Sequence, residues 1–310
     1  MAVVQPPVGL QAAELLEVDH RPRLQLVRQV LARPAAAIAT AIIVGFVVIA
    51  VAAPLIAPED PTHIDVFNRL AGPSWSHLLG TDSLGRDMLS RLIYGTRVAL
   101  EVALPSVVGA FAIGALLGAV AGYLGGPLDK VLVVVFDAVI SFPAVILGLA
   151  LLTLLGPSIG NVILVIGISL VPYYGRLVRA QTLAERKVGY TKTERALGAS
   201  RGRVLLRHLF PNVLPALVIV VAMDIPNAVV IEAGLAFLGL GVQPPTSDWG
   251  VMLNDGFTNI AVSPWGVVGP MVALILLTAS FLVLGETVRD VMDPSHRVPI
   301  RGRRRRETNG

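Results

Sequence analysis

Residues 34–57 read PAAAIATAIIVGFVVIAVAAPLIA, a run without a charged side chain. A bilayer core of about 30 Å needs about 20 mainly apolar helical residues, and this run supplies them. Five segments of the same kind follow. They are about 98–123 with only Glu101 inside, about 128–155 interrupted by Asp137, about 159–177 closing on Arg176 and Arg179, about 213–238 carrying Asp224 and Glu232, and about 265–284. Of the 310 residues, 54% are apolar and 15% charged, against roughly 25% charged in an ordinary soluble domain. One soluble core could not hide that much apolar surface. The reading is an all-α integral membrane protein with six transmembrane helices.

The basic residues predict how it sits. Four arginines lie in the first 33 residues, nine Lys or Arg in 175–210 and seven from Arg289 onward, and with six crossings Lys130 joins their side. The other side receives only Arg69, Arg86, Arg91 and Arg97. Lys and Arg concentrate in cytoplasmic loops, so both ends are expected in the cytoplasm. The predicted organisation is a cytoplasmic segment 1–33, a six-span domain 34–290 and a basic cytoplasmic tail 291–310. Within the domain, 58–97 and 239–263 are external and 178–211 is a cytoplasmic loop. The leader of 33 residues and the apolar run of more than 20 both exceed a cleaved secretory signal, so the first span reads as a retained anchor. The four arginines 303–306 read as a membrane-surface anchor rather than a nucleic-acid patch.

Several chemistries are excluded. The absence of cysteine removes disulfides, thiolate metal sites, Fe–S clusters and cysteine nucleophiles. There is no Gly-Lys dipeptide, so no Walker A loop can cradle a nucleotide. The five histidines (20, 63, 77, 208, 296) lack ligand spacing, and neither a metal nor a cofactor is expected on this chain. Gly198-Ala-Ser200-Arg-Gly202 matches G-x-S-x-G, but a nucleophile elbow needs a strand before it and a helix after it. This one lies in a basic loop between spans, so no enzymatic role is expected.

Three features point towards transport. Gly114, Gly118 and Gly122 recur every four residues, with Ala110 continuing the row, and form one small-residue stripe fit for close helix contact. Asp137, Asp224 and Glu232 would be costly facing lipid, so they are candidates for a translocation path or for contacts with a partner helix. No Lys or Arg lies mid-span to pair with them, which hints that a second subunit completes their surroundings. The basic loop 178–211 contains a helix-prone run around Thr193–Ser200, which reads either as a docking helix or as an anchor on the lipid surface.

At this loop the chain resembles a known family. Residues 190–211, YTKTERALGASRGRVLLRHLFP, resemble the cytoplasmic signature of bacterial ABC-importer permeases, with Gly198 and Pro211 at the matching places. Lys192-Thr193-Glu194 stands where that signature has Glu-Ala-Ala, and Phe210 where it has leucine. Residues 77–91 (HLLGTDSLGRDMLSR), 232–245 (EAGLAFLGLGVQPP), Asp248-Trp-Gly250 and Arg289–Pro294 resemble the dipeptide/oligopeptide branch, which also holds nickel and glutathione importers. Within it, they resemble the second type of permease subunit.

The resemblance implies a type I importer permease in a bacterial cytoplasmic membrane. Its implied partners are a second homologous permease, two cytoplasmic ATPases that use ATP and Mg, and an extracytoplasmic binding protein delivering peptide. Tyr190, Glu194, Arg195, Ala196, Leu197, Gly198, Ala199, Ser200 and Pro211 would couple to an ATPase. Gly80, Thr81, Asp82, Gly85, Arg86 and Asp87 would belong to the external segment that meets the binding protein. The expected function is half of a peptide path worked by alternating access. Nickel, glutathione or another small solute is the alternative cargo, and a proton-coupled carrier using the three carboxylates is the rival class.

Overall fold

The structure is a computed structural model that describes residues 23–186, 200–204, 207, 217 and 220–292. A short helix α1 (Arg23–Leu31) precedes α2 (Pro34–Ile56), whose 23 residues rise about 35 Å. Pro34 suits the first helical turn, where its missing N–H would have had no partner. After the segment 58–87 comes α3 (Met88–Leu124), started by Asp87, whose carboxylate accepts from the Ser90 N–H at 2.7 Å. The helix begins ten residues before the apolar run, so Arg91 and Arg97 lie on it rather than in the preceding loop. It stops at Gly125, where φ is +68°.

The third span is not straight. Helices α4 (Gly126–Ile140) and α5 (Ala144–Leu155) meet at 91° across residues 141–143. Pro143 offers no N–H and disfavours helical backbone at the residue before it, while the Ser141 hydroxyl donates to the Ala138 carbonyl at 2.7 Å. The expected 128–155 span is thus two helices, with a break at Pro143 far sharper than an ordinary proline kink. Helix α6 (Ile159–Glu185) follows and includes Arg176 and Arg179, eight residues beyond its expected end. Residues 220–223 lead into α7 (Ile225–Phe237). The loop 239–263 contains a further helix, α8 (Trp249–Thr258), capped by Asp248, which accepts from Val251 N–H at 3.0 Å. The last helix is α9 (Trp265–Met292).

The glycine stripe lies at the main contact. Helices α3 and α6 run parallel, with Ser106 bonded to the Ile163 carbonyl at 3.2 Å and Gly114, Gly118 and Gly122 meeting successively later residues of α6. A Cβ on these three glycines would lie 2.6 Å from Val171 O, 2.2 Å from Gly175 O and 2.8 Å from Arg179 O. Backbone touches backbone there, as the four-residue spacing predicts. Around this seam pack Val102, Ala103, Val107, Val165, Ile166 and Tyr174, all buried.

Among the described residues, five helical stretches are long and apolar enough to cross a membrane, and the bent pair makes six if it crosses as one span. The Arg33 guanidinium donates to Asp290 Oδ2 at 2.9 Å, so the start of α2 and the end of α9 share one face, called here the terminal face. Five crossings would have parted those ends. Counting the bent pair as one span, the described residues give six crossings and keep those ends together. The opposite face carries the segment 58–87 and α8 and is called the cap face. Outward-pointing Val51, Leu55 and Leu154 are exposed, a surface that lipid tails match in polarity.

Candidate functional site

Beside the bend an open cleft of about 410 Å3 indents the surface of the bundle, within the roughly 300–1,000 Å3 of small-molecule sites. Phe142 lies at the turn, and Ser169 and Tyr173 come from α6. Asp224 and Asn227, one helical turn apart at the start of α7, complete its polar lining. Non-helical backbone at membrane depth is tolerated only where protein or water covers it, so a polar cleft is the expected neighbour of this break. Among the described residues, neither Asp224 Oδ2 nor the nearby buried Tyr174 hydroxyl closes a hydrogen bond by geometry. An intramembrane carboxylate with spare hydrogen-bonding capacity, facing a cleft, is a place to hold a polar solute.

The three candidate path carboxylates are not together. Asp137 pairs with Arg176, each about half exposed (52% and 47%). This corrects the expectation that no cation in the chain could reach it. Neighbouring Asp129 takes a two-pronged bond from Arg179 at 2.5 and 2.8 Å. The two pairs span eight residues of α4 but three of α6, about 12 Å against about 4.5 Å, so α4 crosses α6 obliquely. That crossing depends on the bend, which composition does not reveal. Glu232 is 1% exposed and faces Asp248 at the start of α8, with no cationic partner among the described residues. Only Asp224 lines the cleft. Asn227, Ser169 and Tyr173 escaped the sequence reading, although Asn227 lies one turn from Asp224 and could have been sought there.

The cap-face residues form a buried knot. Asp82 accepts backbone N–H groups from Leu84 at 2.8 Å and Arg86 at 2.9 Å, Arg86 Nε at 2.7 Å, and Arg91 Nη1. Burial pushes its carboxyl up, but the Arg91 and Arg86 charges and the two N–H groups outweigh this and hold it below the ordinary aspartate range. Thr81 bonds Ala71 in both directions, and Asp87 contacts His77 Nδ1 at 3.1 Å. Gly85 has φ +80°, and a Cβ there would lie 1.7 Å from Asp65 O, so only glycine fits. Ser83 N–H donates to Asp255 of α8 at 3.2 Å, and the Trp249 indole donates to Leu92 O at 3.1 Å. Thr81, Asp82, Arg86 and Asp87 are thus internal, and the exposed side chains nearby are Phe67 (95%) and Trp75 (98%).

Of the loop residues, Tyr190, Glu194, Arg195, Ala196, Leu197, Gly198, Ala199 and Pro211 lie outside the described residues. Ser200 is exposed, and its hydroxyl accepts from Arg203 N–H at 3.4 Å at the start of a single turn, Arg201–Val204.

Residues 114–298 match the family described as binding-protein-dependent transport system inner membrane component, and residues 23–73 match the N-terminal TM domain of oligopeptide transport permease C. The chain is 37% identical over 253 residues to the dipeptide transport system permease protein DppC of Alkalihalophilus pseudofirmus, covering 82% of this chain and 83% of that one. It is 37% identical to the probable D,D-dipeptide transport system permease protein DdpC of Escherichia coli, covering 82% and 85%. It is 36% identical to the glutathione transport system permease protein GsiD of Pectobacterium atrosepticum, covering 80% and 83%. Among solved structures, an inward-facing MetNI methionine ABC transporter chain aligns with TM-score 0.54 and 21% identity, covering 66% of this chain and 98% of that chain.

Proposed function

Because the chain belongs to the family of binding-protein-dependent transport system inner membrane components, and so is a multi-pass permease of an ABC importer, we propose that its cargo is a dipeptide or short oligopeptide. It forms half of the translocation path beside a second, homologous permease. Two ATPases on the terminal face hydrolyse ATP with Mg, and a binding protein delivers peptide to the cap face. The chain itself holds no cofactor and makes or breaks no covalent bond.

The observation that carries this reading is the open cleft at the α4–α5 bend, where a carboxylate, an amide and hydroxyls collect on the side of an otherwise apolar bundle. Such a cleft can hold a solute with hydrogen-bonding groups between two gates. The relatives named for dipeptides and for glutathione, itself a short peptide, support the substrate class. Alternating access needs rigid parts and a deformable one. The glycine-locked α3–α6 pair supplies the first and the bend the second. The loop around Gly198 would carry the ATPase motion into the bundle, and the exposed Phe67 and Trp75 offer the binding protein a surface.

The test is labelled-dipeptide uptake and ATP hydrolysis by the complete importer in proteoliposomes. Uptake should require ATP and binding protein. Gly198→Trp should leave hydrolysis running while uptake stops, because an added aromatic would block a close approach at a position without Cβ. Uptake that follows an imposed pH gradient and ignores ATP would replace this reading with a proton-coupled carrier.

A further inference from the structure

A second cleft, of about 700 Å3, opens on the cap face between the end of α2, the start of the cap segment, α3 and the loop before α8. Its lining is mixed in charge. Arg97 stands with the carboxylates Glu59, Asp60 and Glu101, and with the hydroxyls of Tyr94 and Ser247. Arg97 and Glu101 are exposed and form no ion pair among the described residues. An arginine four residues ahead of a glutamate is the weaker order for such a helical pair. Glu59 has only a 3.9 Å contact with His77, and Asp60 Oδ1 holds the Thr62 N–H and hydroxyl at 2.8 and 2.6 Å. Ser247 adds an independent sign. It is 3% exposed, its hydroxyl has no partner among the described residues, and it borders the cleft. A buried hydroxyl is ordinarily satisfied, and this one sits at the cleft wall with its bonding capacity spare.

We propose that this cleft receives the free peptide zwitterion on the cap face. Arg97 takes the terminal carboxylate, Glu101 takes the terminal ammonium with Glu59 and Asp60 adding negative field, and Ser247 and Tyr94 bond the peptide unit. The spacing fits a short peptide. The Arg97 and Glu101 backbones are about 6 Å apart along the helix, so their side chains can reach end charges about 6–7 Å apart, as in an extended dipeptide. Three carboxylates against one guanidinium favour a ligand that keeps its ammonium. An aminophospholipid headgroup carries a similar pair of charges, but its tails need a long apolar slot, and here four prolines, Ala57, Val98 and Ile159 are mixed with eight polar or charged residues. The inference rests on the peptide reading above and adds a site distinct from the bend cleft.

The test is calorimetric titration of the full chain in nanodiscs of phosphatidylcholine and phosphatidylglycerol, repeated with phosphatidylethanolamine added. The probes are Ala-Ala, N-acetyl-Ala-Ala and Ala-Ala-amide. Wild type should bind Ala-Ala in both discs and each blocked form about tenfold more weakly, the scale of one charge-assisted contact. Arg97→Gln should lose about tenfold for Ala-Ala and nothing further for Ala-Ala-amide. Glu101→Gln should lose about tenfold for Ala-Ala and nothing further for the N-acetyl form. Both side chains are exposed, so neither change threatens folding, and this crossed pattern is one that general damage would not give. Equal binding of free and blocked peptides, or no binding to wild type, overturns the site. Binding removed by phosphatidylethanolamine assigns the cleft to a lipid headgroup and also overturns it. ATP-driven dipeptide uptake by an importer whose permease binds nothing here would sink this site alone. Binding without any uptake would sink the peptide reading alone.

Discussion

Replacing Gly118 by alanine adds one methyl group at the tightest point of the α3–α6 seam. That methyl would sit 2.2 Å from Gly175 O and 3.0 Å from Arg179 N, both backbone atoms that cannot rotate away. A relaxed carbon–oxygen contact needs about 3.3–3.6 Å, so the helices must part by about 1 Å. A gap of 0.5–1 Å forfeits about a quarter to a half of each dispersion contact across it, and Phe111, Ala115, Ala119 and Val178 flank this seam. Overpacking costs about 1–3 kcal/mol when side chains can adjust. Here the obstacle is main chain, and the expected loss is at the upper end, about 3 kcal/mol. Gly109, on the same helix, has nothing within 4 Å of its notional Cβ. Alanine there should gain about 0.5–1 kcal/mol by removing glycine's helical penalty. Unfolding of the purified chain in mixed micelles with rising dodecyl sulfate, followed by tryptophan fluorescence, should separate the two variants by about 4 kcal/mol. Equal midpoints for Gly118→Ala and Gly109→Ala would refute the claim that backbone contact sets this seam.

Asp82→Ala should strand the fully buried Arg91 and cost the cap segment about 3–5 kcal/mol, read as faster proteolysis within 58–87. The Asp82 carboxyl is held below 3.8, so its contribution is complete above that pH and fades only as pH falls through the lower folded value. Wild-type protection should therefore persist from pH 7 to about 4 and fail below, whereas Asp82→Asn should show no such acid step. The chain has no cysteine, so Trp75→Cys should react with an impermeant reagent outside intact cells and Ser200→Cys should not. The opposite pattern would invert the orientation. Asp224→Asn should keep ATP-driven uptake within about tenfold of wild type, since a proton-relay role would cost about 10²–10⁴.

Hydropathy found the spans because lipid demands long apolar runs whatever their packing. The glycine stripe was legible for a similar reason: a four-residue spacing fixes a helix face before the partner helix is known. The α4–α5 bend was not legible. Both arms are apolar, so a hydropathy window crosses 141–143 without a dip, and Pro143 alone does not distinguish a mild kink from a right angle. The Asp137–Arg176 pair was missed with it, because that contact exists only once α4 lies oblique to α6. Of the site, Asp224 could be picked out as an intramembrane charge. Its separation from Asp137 and Glu232 depends on three-dimensional packing that charge counting does not carry. Helix α8 hid in a loop too short and too mixed to give a periodic signal, although Asp248 before Trp249 is a start signal of the usual kind.

The right angle at 141–143 also changes the membrane as an insulator. The twelve residues of α5 reach only about 18 Å and the fifteen of α4 about 22 Å, so neither arm matches a hydrocarbon layer of about 30 Å. The first N–H groups of α5 have no side-chain cap and point back towards the break, so positive helix-end charge and the Asp224 carboxylate border the same cleft. Hydrocarbon cannot satisfy those groups, so water or a neighbouring protein surface must. Electrical tightness of the membrane around this chain is therefore a property that the surrounding assembly has to supply.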